Sequence, residues 1–400
     1  MLLSNEFLAQ YPEQPTGMKE IGIFTAYRTY TRWDESKQRR ETWKEAVARA
    51  VKYSLEQAHK RYKELSYPFN TMDLTQEAEA LFDNIFNTKQ FLSGRTHWVG
   101  GADTKVADKF PLANFNCSFI DIVRWEDLSE LFYLLLVGTG VGVRASKESV
   151  KALGTIRNDV KLIHADYEPL VPEHRIDDTN VNILENGFAK IYVGDSKEGW
   201  VEALRAIFEI LTGEEEDVHT VKVSYNSIRP KGEKLKTFGG TASGYEPLRD
   251  MFDGIFKVIR GEMDLMIDPP ENYEVIYSVG AEYNESRVYL RPIHILDIAN
   301  LIGNNVVVGG VRRTAEIFLA DEDDFEVILA KYGINGIWDE VHHEKVIGSL
   351  MANGQSEWAD KLNQMKTHDG NVRPLFHRRM SNNSVAFESK PTREMLNLMF

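Results

Sequence analysis

The sequence predicts an α/β protein that begins with a mainly helical region. In the first hundred residues apolar side chains recur at helical spacing, and after this region short apolar runs alternate with amphipathic helices. We therefore divide the chain into a helical region, residues 1–105, and an α/β region, residues 106–400. A hydrophobic content of 42% with 27% charged residues favours a globular fold over disorder.

The helical region contains two amphipathic helices. The first has an apolar face that runs from Trp43 to Ser54, with charged residues opposite. The second is expected to begin near Leu74. Asp73 is a candidate N-cap because Gln76 follows three residues later, which is the spacing of a capping box.

The α/β region contains one especially clear helix, DSKEGWVEALRAIFEILTG. Asp195 is expected to cap it with Glu198 reaching back, and Gly213 is expected to close it. A strand is predicted next in VHTVKVSYNSIRP, and another helix from Tyr245 to Arg260.

The stretch Asn304–Asp324, NNVVVGGVRRTAEIFLADEDD, follows a predicted helix at Ile293–Gly303. The valine run predicts a short buried strand, the glycine pair and two arginines predict a turn, and AEIFLA predicts a second strand. A last buried strand is predicted in Met380–Phe387, MSNNSVAF.

Composition and charge exclude several classes of protein. A net charge of −14 argues against a general affinity for DNA. The N-terminus lacks a basic segment followed by an apolar core, so no signal peptide is predicted. The longest apolar stretch, Leu131–Val143, is too short and glycine-rich to span a membrane. A single cysteine excludes a disulfide framework and fits the cytoplasm.

Common nucleotide and metal motifs are absent. GTGVGV, Gly138–Val143, lacks the glycine spacing of a dinucleotide fold and follows a helix-like run rather than a strand. No phosphate-binding P-loop occurs. The ten histidines are scattered without an H-E-x-x-H motif, so we predict no metal site.

The loop FGGTASG permits two interpretations. Gly239 and Gly240 allow close backbone approach, and Thr241 and Ser243 add hydroxyls, which together can hold a phosphate. A plain turn before a helix would use similar residues.

Two other features also permit two interpretations when only the residues are considered. Adjacent arginines on an extended segment point to opposite sides, so one of Arg312 and Arg313 would face a ligand, or both would be solvated. Cys117, beside a strand-like run, is either a small buried hydrophobe or a functional thiol.

Taken in order, nine segments resemble the ribonucleotide reductases, most closely the adenosylcobalamin-dependent (class II) ribonucleoside-triphosphate reductases. The segments are TAYRTYTRW, FLSGRTHWVGG, NFNCSF, VGTGVGVRAS, GDSKEGW, SIRPKG, FGGTASG, DIANLIGNNVVVGGVRRTAEIFL and MSNNSVAF. The resemblance runs from Thr25 to Phe387. It implies a catalytic domain that is a ten-stranded α/β barrel of two five-stranded halves, of which this chain carries the first.

The resemblance also implies roles for individual residues. Cys117 matches a redox cysteine that is oxidised to a disulfide with a partner on the second half as the ribose is reduced. Trp125–Leu135 matches the segment that binds the deoxynucleotide effector, with four candidate contacts: Trp125, Asp127, Leu128 and Phe132. The loop that carries the effector's message to the substrate matches Gly309, Gly310, Val311, Arg312 and Arg313.

The chain departs from the family pattern where the radical chemistry lies. It has no NPCGE-like motif with the radical cysteine, no second redox cysteine and no C-terminal cysteine pair. The resemblance therefore predicts an N-terminal part that is inactive alone, with the adenosylcobalamin-binding segments mostly in the missing half.

The implied partners are a ribonucleoside triphosphate substrate, a deoxynucleoside triphosphate effector, a thioredoxin-like reductant and the C-terminal half, with no DNA or membrane. The alternative is a non-catalytic regulatory fragment that binds deoxynucleotides. Restored activity on adding the missing half would distinguish the two.

Overall fold

The computed structural model describes residues 2–101, 106–185, 187–213, 218–234, 241–276, 285–309, 315–334, 340–367 and 375–399. They form two compact units, the first ending at Asn116 and the second beginning at Cys117. None of the described helices is both long enough and apolar enough to cross a bilayer. Helices come first and mixed α/β structure follows, which confirms the predicted fold class, while the barrel half stays a prediction.

The first unit is built of helices around a small amount of strand. Its helices are α1 Asn5–Ala9, α2 Glu20–Thr25, α3 Trp43–Glu64, α4 Thr71–Phe86, α5 Gly94–Val99 and α6 Val106–Lys109. Shorter elements lie between and after them: a π turn Ala26–Tyr30, the hairpin strands β1 Trp33–Asp34 and β2 Arg39–Arg40, and a 3₁₀ turn Pro111–Asn114.

Helices α3 and α4 bury the apolar faces that the sequence predicted. Trp43 and Val47 of α3 pack with Phe82 and Phe86 of α4 in one buried cluster. Burying side chains of this size contributes about 1.5–3 kcal/mol each, which holds the two helices together.

Helix α4 begins three residues earlier than predicted, and Asp73 is not its cap. Asn70 caps it instead, because its side-chain oxygen accepts a hydrogen bond from the Met72 amide at 3.0 Å. Asp73 lies within the first turn, where a carboxylate is favoured by the positive end of the helix dipole.

The second unit combines several sheets with helices. Its strands are β3 Cys117–Asp121, β4 Gly140–Arg144, β5 Thr155–Arg157, β6 Lys161–His164, β7 Asn180–Leu184, β8 Phe188–Tyr192, β9 Thr220–Ser224, β10 Glu271–Ile276, β11 Glu285–Tyr289, β12 Ala315–Asp321 and β13 Ser381–Ala386. Its helices are α7 Glu126–Leu136, α8 Lys147–Ala152, α9 Lys197–Thr212, α10 Glu246–Ile259, α11 Pro292–Gly309, α12 Phe325–Ile328, α13 Glu340–Ala352, α14 Ser356–Thr367 and α15 Arg393–Met399, with 3₁₀ turns at Pro172–His174 and Phe376–Arg379.

Four parallel strands form the sheet that carries Cys117, in the order β13–β12–β4–β3. Parallel neighbours need long crossover connections, and α7 provides one between β3 and β4. The predicted strands AEIFLA and MSNNSVAF are confirmed as β12 and β13.

A second sheet has the order β6–β9–β8–β7, with β7 antiparallel to β8 and the other neighbours parallel. Strands β10, β11 and β5 form a third, antiparallel sheet. Leu204 and Phe208 of α9 and Val221 and Val223 of β9 belong to the main buried core, so this helix is held by its apolar face.

Helix α9 is capped by Ser196, and the expectation that Asp195 caps it is wrong. The Ser196 hydroxyl oxygen accepts a hydrogen bond from the Gly199 amide at 2.8 Å. Asp195 is engaged elsewhere, because Arg229 Nε lies 2.9 Å from its Oδ2. Serine and aspartate are equally good caps. Because Asp195 pairs with Arg229, Ser196 is the residue that caps the helix.

Residues 306–308 are helical, so the strand predicted for the valine run is wrong. Helix α11 continues to Gly309, and its buried side chains keep helical spacing: Ile295, Ala299, Ile302 and Val306. Val307 is 42% exposed. The apolar stripe of the preceding helix therefore outweighs the preference of valine for strands.

Candidate functional site

Cys117 lies at the edge of the parallel sheet, on a face that is open in this unit. It is the first residue of β3, and its thiol is free and exposed. Side chains alternate along the strand, with Phe119 58% exposed and Ile120 8% exposed. The thiol is therefore not the buried hydrophobe that a lone cysteine usually is.

Small residues continue the row of Cys117 across the sheet. Cys117 pairs with Gly140, and Gly140 pairs with Ala315. With neighbouring strands about 4.8 Å apart, Ala315 lies roughly 10 Å from Cys117. Neither neighbour has a side chain larger than a methyl group, so the row beside the thiol contains no bulky side chain on β4 or β12.

The next row along the strands contains larger groups. Phe119, Gly142, Ile317 and Asn382 are neighbours across the four strands. A Cβ atom on Gly142 would lie 3.0 Å from Phe119 Cδ2, so glycine gives the phenyl ring room above β4. Sequence reasoning missed Phe119 and Asn382, although the alternation in CSFID and AEIFLAD was a signal for this face.

Hydroxyl groups on the opposite, packed face fix the start of β3. The side-chain oxygens of Ser118 and Thr139 share a hydrogen bond of 2.9 Å. The Thr139 hydroxyl is also 3.1 Å from the Leu134 carbonyl oxygen, at the end of α7. These contacts tie the turn before β4 to the residue that follows Cys117.

Trp125 and Asp127 hold the beginning of α7 in place. The Trp125 indole donates to the Leu153 carbonyl at 2.9 Å, and its ring stacks on Phe208 with centroids 5.6 Å apart. The Asp127 carboxylate accepts from the backbone amides of Val123 and Arg124 at 2.9 and 2.7 Å. Both predicted effector residues thus have structural partners in this segment.

The other two predicted effector residues, Leu128 and Phe132, are fully buried in the core. Their side chains therefore hold the helix and do not meet solvent. The exposed surface of the segment is charged, with 63% of the Arg124 side chain and 61% of the Glu130 side chain accessible.

The predicted loops are described only in part. Gly309 is the last residue of α11, whereas Gly310, Val311, Arg312 and Arg313 lie outside the described residues, as do Gly239 and Gly240.

Of the glycine-rich loop, Thr241 and Ser243 are described. Thr241 forms an isolated antiparallel bridge with Lys234, and the Ser243 hydroxyl donates to the Gly244 carbonyl at 3.2 Å. The described arm therefore pairs with its own chain, and it leaves both interpretations of the loop open.

A buried cluster of charges supports the start of β13. Arg378 is fully buried, and its Nε and Nη2 atoms each lie 2.6 Å from one oxygen of Asp297. Arg378 Nη1 also lies 2.9 Å from Asp264, and His377 Nε2 lies 2.8 Å from Asp297. Burial acts to raise the pKa of Asp297, but Arg378 and His377 lower it well below its usual range.

Helix α11 is joined to β13 by a further buried contact. The backbone amide of Ser381 donates to the Asn300 side-chain oxygen at 2.9 Å. Sequence reasoning missed this cluster because its members are about eighty residues apart, and nothing in the local pattern links them.

Glu316 is a buried acid that has no hydrogen-bond partner in the part of the chain that the structure describes. It is 2% exposed, and neither carboxylate oxygen has a hydrogen-bond partner among the described residues. A Cβ atom on Gly303 would come within 2.4 Å of Glu316 Oε1, so α11 packs directly over the carboxyl group. Burial raises its pKa well above the ordinary value of 4.5, so the carboxyl group keeps its proton to a higher pH than an exposed glutamate does.

Glu316→Gln is expected to raise stability at pH 8 and to change it little at pH 4. Above the ordinary pKa the unfolded chain loses the proton while the folded chain retains it, so wild-type stability falls as pH rises. Each unit of pKa elevation corresponds to about 1.4 kcal/mol. The measurement is the urea-unfolding midpoint between pH 4 and 8, with Glu130→Gln as a surface control. An unchanged pH slope in Glu316→Gln would contradict this account.

Two family models match separate parts of the chain. Residues 3–102 match the ribonucleotide reductase alpha domain. Residues 173–259 match the insertion domain of B12-dependent ribonucleotide reductase, which here includes β7, β8, α9 and β9.

Several curated proteins are similar over most of the chain. An adenosylcobalamin-dependent ribonucleoside-triphosphate reductase of Lactobacillus helveticus is 29% identical over 343 residues, 78% of this chain and 43% of the relative. The protein of the same name from Levilactobacillus brevis is 27% identical, and the match covers 90% of this chain and 48% of that protein. A probable adenosylcobalamin-dependent ribonucleoside-triphosphate reductase of Dictyostelium discoideum is 26% identical, with coverage of 90% and 46%.

A solved structure shares the fold. The crystal structure of a B12-dependent (class II) ribonucleotide reductase superimposes with a TM-score of 0.65 and 23% identity, covering 96% of this chain and 48% of that protein. The chain thus spans a little under half the length of the relatives it matches.

Proposed function

We propose that the chain, which matches two ribonucleotide reductase family models and resembles the B12-dependent reductases, supplies one redox cysteine and the effector-sensing segments of such an enzyme. The reaction of the whole protein is then the reduction of ribonucleoside triphosphates to 2′-deoxyribonucleotides by thiyl-radical chemistry. One observation carries the proposal: the lone thiol, Cys117, is exposed on an open sheet face beside Gly140 and Ala315. The small neighbours would leave room for a ribose next to a reducing group.

The proposed step at Cys117 is a two-electron reduction of the ribose. The C2′–OH bond breaks, a C2′–H bond forms and the oxygen leaves as water, while two cysteine thiols lose their hydrogens and form a disulfide. The sequence contains one cysteine, so the second redox thiol and the radical thiol must come from outside these 400 residues. A thioredoxin-like dithiol then reduces the disulfide, and the cytoplasm suits this cycle.

Adenosylcobalamin, named in the relatives, supplies the radical when it is bound. The described open face does not by itself fit a corrin, because its exposed apolar side chains, Phe119 and Ile317, are too few to cover so large a ring. We therefore propose cobalamin dependence for the whole protein and assign no residue of this chain to the cofactor.

We propose that the effector, a deoxynucleoside triphosphate, contacts the exposed side of Trp125–Leu135. Arg124, immediately before this segment, has a mostly exposed guanidinium group that pairs with Asp127 at 2.8 Å and has further donors for phosphate. Trp125 and Asp127 would fix the segment through their bonds, and Leu128 and Phe132 would hold it through the core.

The loop at 309–313 is proposed to carry the effector's message to the substrate. It leaves α11 at Gly309 and precedes Ala315, the residue that lies roughly 10 Å from Cys117 in the same row. Its C-terminal end therefore meets the row in which the ribose would be reduced.

Arg312→Ala is expected to weaken effector control of base choice in the catalytically complete enzyme. The variant loses a guanidinium that can clamp a nucleotide, at a cost of about 1.5–3 kcal/mol for a charged hydrogen bond, or roughly ten- to hundredfold in selectivity. The measurement is the ratio of reduced bases with each effector, and Arg313→Ala is the matched variant. Unaltered ratios in both variants would remove the loop from the proposal.

Complementation tests the function as a whole. The purified chain is assayed with a polypeptide that covers the remaining length of the relatives, adenosylcobalamin, a thioredoxin-like reductant and labelled ribonucleoside triphosphates or diphosphates. Deoxynucleotide product is expected only when both polypeptides are present, with triphosphates as the better substrates. Effector binding without product would favour the non-catalytic regulatory fragment, and neither binding nor product would contradict both readings.

A further inference from the structure

A cleft in the first unit is lined by none of the residues that were given a functional role above. It has a volume of about 330 Å³ and is lined by the π turn Ala26–Tyr30 and by the hairpin strand β2. This volume is within the roughly 300–1,000 Å³ range of small-molecule sites. All of its lining residues belong to the helical unit.

The cleft has an apolar floor and a charged rim. Met18, Ala26 and Trp43 line it, and the last two are each 7% exposed. Two carboxylates, Glu13 and Glu41, and two guanidinium groups, Arg39 and Arg40, line the polar side. This division suits a ligand with one planar apolar part and one charged part.

The π turn presents an aromatic ring at the cleft. The Thr31 amide donates to the Ala26 carbonyl, five residues earlier, at 3.1 Å. Tyr27, within this wide turn, is 56% exposed and lines the cleft. Single π turns are rare and concentrate at functional sites, and an exposed tyrosine ring is a surface on which a planar base can stack.

Arg40 has a positive charge without a carboxylate partner among the described residues. Its guanidinium lies 5.7 Å from the centroid of the Tyr27 ring, and its Nη1 donates to the Thr31 carbonyl at 2.9 Å. The neighbouring Arg39, in contrast, is held by both carboxylate oxygens of Glu45 at 2.8 and 2.9 Å. Arg40 therefore retains donors for a ligand.

Arginine side chains lie close to one another around Glu41. Arg49 engages both oxygens of Glu41, at 2.7 and 2.9 Å, so this carboxylate is already neutralised. Burial, together with repulsion from Arg49 and Arg40, lowers the pKa of Arg32 to about 10 despite the attraction of Glu41. An anion at the cleft would relieve this repulsion.

We propose that this cleft binds a nucleoside monophosphate, with the base against Tyr27 and the apolar floor and the phosphate on Arg40. A guanidinium matches the geometry of a phosphate, and an aromatic and apolar lining matches a base. The cleft volume suits a small nucleotide. The site goes beyond the proposed reductase function and shares none of the residues assigned to it.

Titration calorimetry on the 400-residue chain tests the proposal with AMP, adenosine and inorganic phosphate as probes. AMP is expected to bind saturably, adenosine about tenfold more weakly, and phosphate alone more weakly still. Arg40→Met should lower AMP affinity about tenfold and leave adenosine unchanged, since it removes the phosphate contact only. Tyr27→Ala should weaken both AMP and adenosine.

Lys52→Met serves as the matched control. It removes the charge of a lysine on α3 whose side chain is 54% accessible, and AMP affinity is expected not to change. Arg40→Lys retains the charge without the planar fork and is expected to keep part of the affinity. Absence of saturation at about 1 mM AMP, equal binding of phosphate and AMP, or full AMP affinity in Arg40→Met would each overturn the site. None of these outcomes affects the reductase proposal, which complementation tests separately.

Discussion

Cys117→Ser is expected to abolish multiple turnover in the catalytically complete enzyme, down to the background of the assay. Serine preserves the size of the side chain but cannot form a disulfide, so the two electrons that reduce the ribose have no source at this position. The exposure of Cys117 on the open face means that the substitution leaves no cavity, and the fold should be unchanged.

The measurement is the amount of deoxynucleotide formed per enzyme with a thioredoxin-like reductant over many cycles. Ser118→Ala is the matched control, because Ser118 is adjacent but faces the packed side, where it shares a hydrogen bond with Thr139. Losing that bond costs about 1 kcal/mol of stability and should leave turnover intact. Undiminished turnover in Cys117→Ser would refute the assignment of this thiol.

Arg378→Met is expected to destabilise the second unit by about 3–5 kcal/mol. The methionine fills most of the volume, but it leaves Asp297 and Asp264 buried without the guanidinium group that contacts both. An uncompensated buried carboxylate is costly, because water no longer solvates it. The unfolding midpoint in urea, followed by circular dichroism, measures the effect.

The adjacent Arg379 provides the control for this substitution. Its side chain is exposed and lies over the Phe376 ring, 4.6 Å from the centroid, so Arg379→Met should change stability by only about 0.5 kcal/mol. Adding Asp297→Asn to Arg378→Met should restore part of the loss, since it removes one of the stranded charges. Equal midpoints for the two arginine variants would show that the buried cluster contributes nothing specific.

Helices whose apolar stripes are complete within one segment could be predicted from the sequence. The helix predicted from Tyr245 to Arg260 is α10, Glu246–Ile259, with the two predicted end residues as its caps. The stripe of α3 likewise begins at Trp43, as expected. In such segments the local period and the tertiary packing agree, so the pattern is sufficient.

The predictions that failed depended on contacts from elsewhere in the chain. The valine run at 306–308 has strand propensity, yet the buried stripe of α11 carries it into a helix. Asp195 is a good cap by type, yet the ion pair with Arg229, 34 residues away, occupies it. Residue types differ in helix or strand propensity by less free energy than such contacts contribute. Propensity alone therefore could not predict the conformation at these positions.

The candidate site was predictable only in part. The motif around Cys117 pointed to the thiol, but its exposure depends on strand pairing with Gly140 and Ala315, far along the chain. The buried pair of Asp297 and Arg378, 81 residues apart, left no periodic signal. An arginine beside a predicted strand is typical of a surface residue, so its burial could not be predicted from the sequence.

The single exposed thiol also provides a site at which a spectroscopic probe can be attached. Because the sequence contains one cysteine and that cysteine is accessible, a maleimide-linked fluorophore or spin label attaches at one known position without any substitution. The label would sit in the row shared with Gly140 and Ala315. Its spectrum then registers the arrival of a nucleotide or of a second polypeptide at this edge of the sheet in real time.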